Sequence, residues 1–260
     1  MKRNGIRTAT VAIAVICGAV AASCQRVSDD AFYAIAEVPA SPKLIRIETR
    51  GVNQVAVTTV GGTGTFGCAP MAPAPDGKLY TVCGQGIVKP GPQQLATLDP
   101  QTGHATVFGQ TITGLQIMGM KFAPDGKLYT VGDANPASPT FNSLYTIDVI
   151  TGAVSRIGPT GAPSFFHDFA IDRQGAVYGT SGDALYTIDL KTGTATKVAG
   201  FVGGGMVMGL SFNADRTKLY ATDWKEPISD VYAVDLRTGF LTPLGATGHA
   251  LTHGLASIGR

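Results

Sequence analysis

Histidine and methionine recur at one place in similar stretches of this chain. His167 and His253 begin "HDFAI" and "HGLAS", and Met118 and Met208 begin "MGMKF" and "MGLSF". Imidazole together with thioether sulfur suits a soft or borderline metal such as copper, whereas imidazole beside a carboxylate, as at His167 and Asp168, suits a general base. His167, Asp168 and His253 are therefore candidate catalytic residues, and His167 and His253 are candidate metal ligands. The alternative is structural, because methionine fills gaps in cores and a histidine can bond to a neighbouring strand.

These stretches belong to a repeated unit. The phrase "LYT" or an equivalent begins at Leu79, Leu128, Val177 and Leu219, with a further copy at Phe32, and phrases such as "LYTIDLKTGTATKVAG" follow. Their alternating apolar and polar residues predict half-buried strands, and Asp-x-x-Thr-Gly and Pro-Asp-Gly-Lys predict tight turns. Four antiparallel strands in a repeat of about 40–50 residues are typical of a β-propeller blade. Five copies thus predict an all-β protein with five four-stranded blades.

The two ends of the repeat array complement each other. The globular part starts with the second strand of a blade, "AFYAIAE", and ends with a first strand, "LTHGLASI". We predict that they share one composite blade that closes the ring and removes its exposed edges; an open solenoid is the alternative. Alignment of the copies gives one equivalent place at the start of each inner strand. We call these places the opening positions, and they are Ala69, Met118, His167, Met208 and His253, with Met120, Met206 and His249 nearby.

Ligand contacts are predicted at the opening positions and in the loops that follow each second strand. Those loops differ most between copies, as in "GDANPASPTFNS" and "DWKEPISD", and the second contains the single tryptophan of the chain. An exposed tryptophan beside charged residues is a reasonable ligand contact, although packing on its own strand is equally ordinary. The predicted ligand-binding residues are Met118, Met208, Asp133, Asp223, Trp224 and Lys225.

The first 23 residues, "MKRNGIRTATVAIAVICGAVAAS", combine basic residues, an apolar run and small residues. This pattern predicts a secretory signal rather than a membrane span. Cys24 follows at once, and the stretch resembles the bacterial lipobox, in which such a cysteine is lipidated, although Ala21 stands where the lipobox prefers leucine. Ordinary cleavage after the Ala19-Val20-Ala21 triplet, which leaves a soluble secreted protein, is the alternative.

Removal of the signal changes the charge balance. It takes away three of the 20 Lys and Arg and none of the 18 Asp and Glu, so 17 − 18 leaves a formal net charge of −1 instead of +2. We therefore expect no nucleic-acid partner. We expect a linker over residues 24–30, a single domain over residues 31–260, a monomer, and contact with a membrane only through the lipid anchor.

Cys68 and Cys83 remain as a pair beside the hairpin turned by "PAPDGK". A disulfide is expected in an exported protein, with two free buried thiols as the alternative. A four-residue loop, Ala74–Gly77, would set the two cysteines directly opposite each other, whereas a slip by one residue would put them on opposite faces.

With its "LYTIDxxTGxxxxIG" and "FxPDGxLY" phrases, the chain resembles bacterial exported β-propeller repeat proteins of the broad YVTN/quinoprotein-like and SMP-30/lactonase-like grouping. The resemblance covers residues 31–260 and implies the fold. The family's catalytic patterns do not carry over, because the opening positions offer Met, His and Asp instead of the Glu, two Asn and Asp that hold a divalent cation in gluconolactonase-like enzymes.

Two functions follow as expectations. The first is a lipid-anchored binding module of the cell envelope, in the periplasm or on the outer surface, whose partner is an envelope protein, a glycan or a small molecule. The second is a propeller hydrolase or lyase with a His/Asp site, with or without a metal, at the channel mouth. The sequence identifies no cofactor.

Overall fold

The computed structural model describes residues 30–38, 40–84, 91–132 and 138–259, which form five four-stranded antiparallel sheets. Cys24 and Asp133 lie outside the described residues. Among the residues described, no helix is long and apolar enough to span a membrane.

Each blade is built from four strands that follow one another from the inside of the ring outwards. In that order, the composite blade contains β20 (His253–Ser257), β1 (Asp30–Ala36), β2 (Lys43–Thr49) and β3 (Val55–Gly62). The next two blades contain β4 (Met71–Pro73), β5 (Leu79–Cys83), β6 (Gln93–Leu98), β7 (Ala105–Ile112), and β8 (Ile117–Phe122), β9 (Leu128–Gly132), β10 (Ser143–Ile147), β11 (Val154–Pro159). The last two contain β12 (Phe166–Ile171), β13 (Val177–Ser181), β14 (Ala184–Ile188), β15 (Ala195–Gly200), and β16 (Val207–Phe212), β17 (Leu219–Asp223), β18 (Asp230–Val234), β19 (Leu241–Ala246).

The repeated turn sequence builds the outer hairpin of every blade except the composite one, in which Arg50–Gln54 forms the turn. In the copy between β14 and β15, Asp189 Oδ1 accepts from the Lys191 amide at 2.8 Å, and the Gly193 amide donates to the Asp189 carbonyl oxygen at 2.8 Å. Gly193 has φ +85°, and a Cβ there would lie 2.6 Å from the Gly158 carbonyl oxygen of the preceding blade. Glycine therefore serves both the turn and the close approach of two blades.

Ring closure is confirmed. β20 pairs antiparallel with β1, with Phe32 opposite Ser257 and Ile35 opposite His253. The inner strands form a continuous ring, in which β4, β8, β12, β16 and β20 each contact the next and β20 contacts β4. Strand β1, the second strand of the composite blade, begins at Asp30.

Cys68 and Cys83 are joined by a disulfide, although the hairpin loop differs by one residue from the four-residue loop that would set them directly opposite each other. Pro73 pairs with Leu79, so five residues form the loop, and the Ala74 amide donates to the Lys78 carbonyl oxygen at 2.8 Å. In the equivalent hairpins of three other blades, β8, β12 and β16 each have a bulge at their opening position. Beyond the bulge, the residues equivalent to Cys68 and Cys83 stand opposite each other, as Ile117 and Gly132 do. Sequence spacing alone does not reveal such a bulge.

The hydrophobic core lies between neighbouring blades. One cluster joins Phe166 and Phe169 of β12 to Val131 of β9, and another joins Leu185 of β14 to Leu210 of β16. Each blade thus has apolar faces on both sides, which matches the nearly continuous burial of the inner strands.

Candidate functional site

The five opening positions meet at one end of the ring. They line a cavity of about 210 Å³ at the start of the inner strands, which we call the axis cavity. The described residues that line it are Val38, Ala69, Gln116, Met118, Phe165, His167, Met206, Met208, Trp224 and His253.

Bulges in the inner strands position these side chains. The pairing shifts by one residue at Met118, His167 and Met208, so each stands as the extra residue of its strand. A bulge re-aims the side chain it carries, which explains why equivalent residues of different blades reach the same space. The inner strands are also closely packed, since a Cβ on Gly119 would lie 2.7 Å from the Asp168 Cα, and one on Gly254 would lie 2.2 Å from the Ala69 carbonyl oxygen.

The two histidines of the axis cavity are each 2% exposed. Within the described residues, His167 Nδ1 and both ring nitrogens of His253 make no hydrogen bond. Burial lowers the pKa of His167 to about 4. Burial, with smaller effects of His167 and Lys121, lowers the pKa of His253 to about 3. The backbone of Ala69 has the opposite effect and raises the pKa of His253, although it does not lie in hydrogen-bonding geometry with either ring nitrogen. Both imidazoles are therefore neutral at pH 7.

Each histidine has an aromatic neighbour in the cavity wall. The rings of Phe165 and His167 meet edge to face with centroids 4.6 Å apart, and those of Trp224 and His253 are 6.4 Å apart. Met118 and Met208 also belong to the hydrophobic cluster around Phe166, with Trp224 packed against it. The methionines therefore serve the core and the cavity wall together.

Asp168 does not stand with His167 in the axis cavity. Asp168 is fully buried and does not line the axis cavity, because it follows the bulge residue and points the other way. Its carboxylate pairs with Lys121 Nζ at 2.9 Å and accepts from the Leu210 and Phe169 amides, each at 2.8 Å. Since its acceptor capacity is used in this way, it is not placed to act as a general base beside His167.

The Lys121–Asp168 pair, which we call the central ion pair, lies among the inner strands between the axis cavity and a second cavity. Lys121 Nζ also donates to the Met71 carbonyl oxygen at 3.2 Å, so the pair and its partners connect β4, β8, β12 and β16. At the other end of the inner strands, Lys121, Arg216 and Ser257 help to line a second cavity of about 50 Å³. The two cavities thus lie at opposite ends of the inner strands, and their described lining residues do not overlap.

The loop after β17 contributes one of its three predicted contacts. Trp224 lines the axis cavity, whereas Asp223 is buried and accepts from the Asp230 amide at 2.7 Å and the Tyr232 hydroxyl at 3.0 Å. Lys225 pairs with Asp230 and is not a cavity residue. Both side chains are therefore engaged in holding this loop, and neither lines the axis cavity. Asp133 cannot be placed, since it lies outside the described residues.

Sequence reasoning missed several wall residues. Gln116 and Phe165 stand two residues before an opening position, as does Met206, which had already been named as a neighbour of the opening positions. An alignment of the repeats at that offset would have found the other two. His249, the neighbour named with the opening positions, instead bonds Glu37 at 2.9 Å and Thr59 at 3.1 Å outside the cavity.

The chemistry of the axis cavity follows from this wall. Its polar side chains are two neutral imidazoles and one amide, and it has no carboxylate among the described lining residues. In the described part of the chain, no three His, Cys, Asp or Glu side chains are grouped to hold a metal ion. The cavity suits a small, largely apolar ligand or one that accepts imidazole and thioether donors.

The buried histidines predict a loss of stability in acid. Burial lowers the pKa of His167 from 6.5 to about 4 and that of His253 from 6.5 to about 3. The contribution of the two neutral imidazoles to the free energy of unfolding is therefore present above pH 6.5 and is lost as the pH falls through about 4 and about 3. His167 alone corresponds to about 3 kcal/mol by pH 4. Chemical unfolding at several pH values should show that His167→Phe/His253→Phe removes much of this loss and is no less stable at pH 7.

Asp168 changes the stability with pH in the opposite sense, and its effect must be distinguished from that of the histidines. Burial raises its pKa from 3.8 to about 6, against the effect of Lys121 and two amides, so its contribution falls as the pH rises through about 6. Asp168 is present in both the wild type and the double variant, so its effect cancels in the difference between their free energies of unfolding. His104→Phe, at an exposed histidine, is the matched control and should keep the wild-type profile. A double variant with that same profile would contradict the prediction.

Comparisons with known proteins agree with this fold. The profile of a repeat of unknown function, DUF6923, matches residues 40–247. A structure published as "The de novo evolutionary emergence of a symmetrical protein is shaped by folding constraints" is 18% identical with a TM-score of 0.56, over 89% of this chain and 99% of that one. TolB from Acinetobacter baumannii is 12% identical with a TM-score of 0.50, over 90% of this chain and 68% of that one.

A putative 6-phosphogluconolactonase from Bacteroides fragilis is also 12% identical, with a TM-score of 0.51, over 90% of this chain and 99% of that one. No curated protein sequence matches the chain. At these identities the solved structures support the propeller fold alone. The family match covers most of the chain, and the protein therefore belongs to the DUF6923 repeat family.

Proposed function

We propose that this protein is an exported, lipid-anchored binding module of the cell envelope that takes a small ligand in the axis cavity. The observation that carries the proposal is the cavity itself: about 210 Å³, walled mainly by apolar and aromatic side chains, with two imidazoles of which three ring nitrogens lack hydrogen-bond partners among the residues described. Ligand sites in proteins commonly combine an apolar wall with a few polar groups in this way.

Binding fits this wall better than hydrolysis. The hydrolase or lyase alternative relied on a carboxylate beside the histidines, but Asp168 is committed to Lys121 and two backbone amides. The remaining imidazoles are held neutral by burial, and among the described residues no carboxylate lines the cavity beside them. The similar solved structures include a putative lactonase and TolB, and the axis cavity favours a binding role over lactonase chemistry.

Export and anchoring are supported by residues 1–24 and by the disulfide. The apolar run ends in small residues before Cys24, and Cys68–Cys83 is a bond that persists in oxidising compartments. A periplasmic or outer-surface location follows.

A cavity-filling variant tests the binding role. We expect at least one compound from a metal, metabolite and glycan collection to raise the melting temperature of the wild type with increasing concentration, because a ligand selective for the folded state must do so. Ala69→Leu projects a larger side chain from the cavity wall and should abolish the rise. Thr106→Leu, exposed on the outer strand β7, should keep it. If nothing in the collection shifts the wild type, the axis cavity is not the binding site.

The anchor has its own test. Cys24→Ser should move the protein from the membrane fraction of the native cell to the soluble fraction without changing its melting temperature, because Cys24 precedes the first strand. Wild-type protein found soluble, with an N-terminus at Ala22, would contradict lipidation and leave plain secretion.

A further inference from the structure

We propose that the ligand of the axis cavity is a soft monovalent metal ion, Cu(I), held by the imidazoles of His167 and His253 and by the thioether of Met208. The proposal rests on the proposed binding function and names the ligand class. Met206, half exposed at the same cavity, and Met118 in its wall supply further thioethers.

The first support is the concentration of soft donors. Two of the four histidines and three of the six methionines of the chain line one cavity. Core filling explains methionine next to aromatic rings, but it does not explain imidazole there, because a buried imidazole needs a partner for its nitrogens.

The second support is the state of those nitrogens. His253 is 2% exposed and neither of its ring nitrogens has a hydrogen-bond partner within the described residues, and the same holds for His167 Nδ1. Leaving such groups without a partner is unfavourable, so a ligand that uses them is favoured. Water or an organic donor could bond an imidazole, but thioether sulfur is only a weak hydrogen-bond acceptor. A soft metal ion is the ligand that uses both kinds of donor at once.

The third support is charge. Hard ions such as Ca²⁺ and Mg²⁺ require several oxygen ligands, and the described wall contains no carboxylate. Lys121, whose charge lowers the pKa of His253, is paired with Asp168 at 2.9 Å, and this pairing offsets part of its repulsion on a bound cation.

The cavity also accounts for how the ion would be enclosed. Trp224 and Phe165 stand edge to face with His253 and His167 and limit the orientations of the two rings. The unbranched side chain of Met206 can turn inwards by rotation about its own bonds.

The single tryptophan provides the measurement, because Trp224 lies in the cavity wall. The full chain carrying Cys17→Ser and Cys24→Ser is titrated without oxygen with Cu(I) supplied as its acetonitrile complex, so that no free thiol competes. We expect Trp224 emission to be quenched with one equivalent of Cu(I), and bicinchoninate, a Cu(I) chelator, to compete for the ion. X-ray absorption should show mixed nitrogen and sulfur ligation.

Matched variants locate the site. His253→Phe and Met208→Leu should each weaken Cu(I) binding at least tenfold, whereas His104→Phe and Met120→Leu, which alter a histidine and a methionine outside the cavity, should leave it unchanged. Each variant is first checked for the wild-type unfolding transition. Should His253→Phe fail to fold, His167→Phe replaces it, and Ag(I) titration reads the same donors without redox chemistry.

Three outcomes would overturn the proposal: binding that the cavity variants do not weaken, a preference for Zn²⁺ over Cu(I), or no binding of Cu(I). If Cu(I) does not bind, but an organic compound stabilises the wild type and not Ala69→Leu, the axis cavity is a ligand site and only the proposal of Cu(I) as its ligand is wrong. If neither binds, both proposals fail together.

Discussion

A chain that ends at Ala250 is expected to lose its cooperative unfolding transition altogether. The truncation removes β20, whose Leu255 and Ala256 are fully buried and which stands between β16 and β4 in the inner ring. It exposes the edge of β1 and the apolar faces of two blades. We expect the resulting loss of free energy of unfolding to exceed the total stability of a domain, which is roughly 5–15 kcal/mol. Thermal unfolding followed by circular dichroism in the far and near ultraviolet checks this.

Two controls make the truncation specific. Ending the chain at Ile258 keeps β20 and should unfold like the wild type. A synthetic peptide of residues 249–260, added to the truncated chain, should restore near-ultraviolet signal by filling the inner place of the composite blade. A truncated protein that melts within a degree or two of the wild type would show that closure contributes little.

Asp168→Ala is expected to destabilise the protein by about 3–5 kcal/mol, because it leaves a buried ammonium without its counterion. Lys121 is 7% exposed, and after the substitution its remaining partner among those described is the Met71 carbonyl oxygen. The Leu210 amide also loses its acceptor. Urea unfolding at pH 7 measures the change.

The double variant Lys121→Met/Asp168→Ala decides the cause. Once the ammonium is gone, part of the stability should return, so the double variant should be more stable than Asp168→Ala alone. Lys78→Met, which breaks an exposed ion pair of 3.3 Å with Asp76, should change little. Strict additivity of the two core substitutions would mean that loss of packing, rather than the unpaired charge, dominates.

The repeat phrases predicted the five blades and their closure because alternation and turn residues act locally in each copy. They also predicted that His167, His253, Met118 and Met208 would share one space, since equivalent positions of a closed ring face the same end. They could not predict Asp168 or the Cys68 hairpin register, because a one-residue bulge reverses the direction of a side chain. The engagement of Asp223 with Tyr232 likewise depends on how a loop folds back, which no short pattern encodes.

The composite blade also determines which way the molecule faces. β1 runs from Asp30, which accepts hydrogen bonds from Tyr220 at 2.6 Å and Asn213 at 3.2 Å, to Ile35, opposite His253 at the axis cavity. Asp30 therefore lies at the far end of the ring from the cavity, and five residues separate it from Cys24. A lipid on Cys24 would hold that far end against the bilayer. The axis cavity would then open away from the membrane, towards solutes in the surrounding space rather than towards lipid.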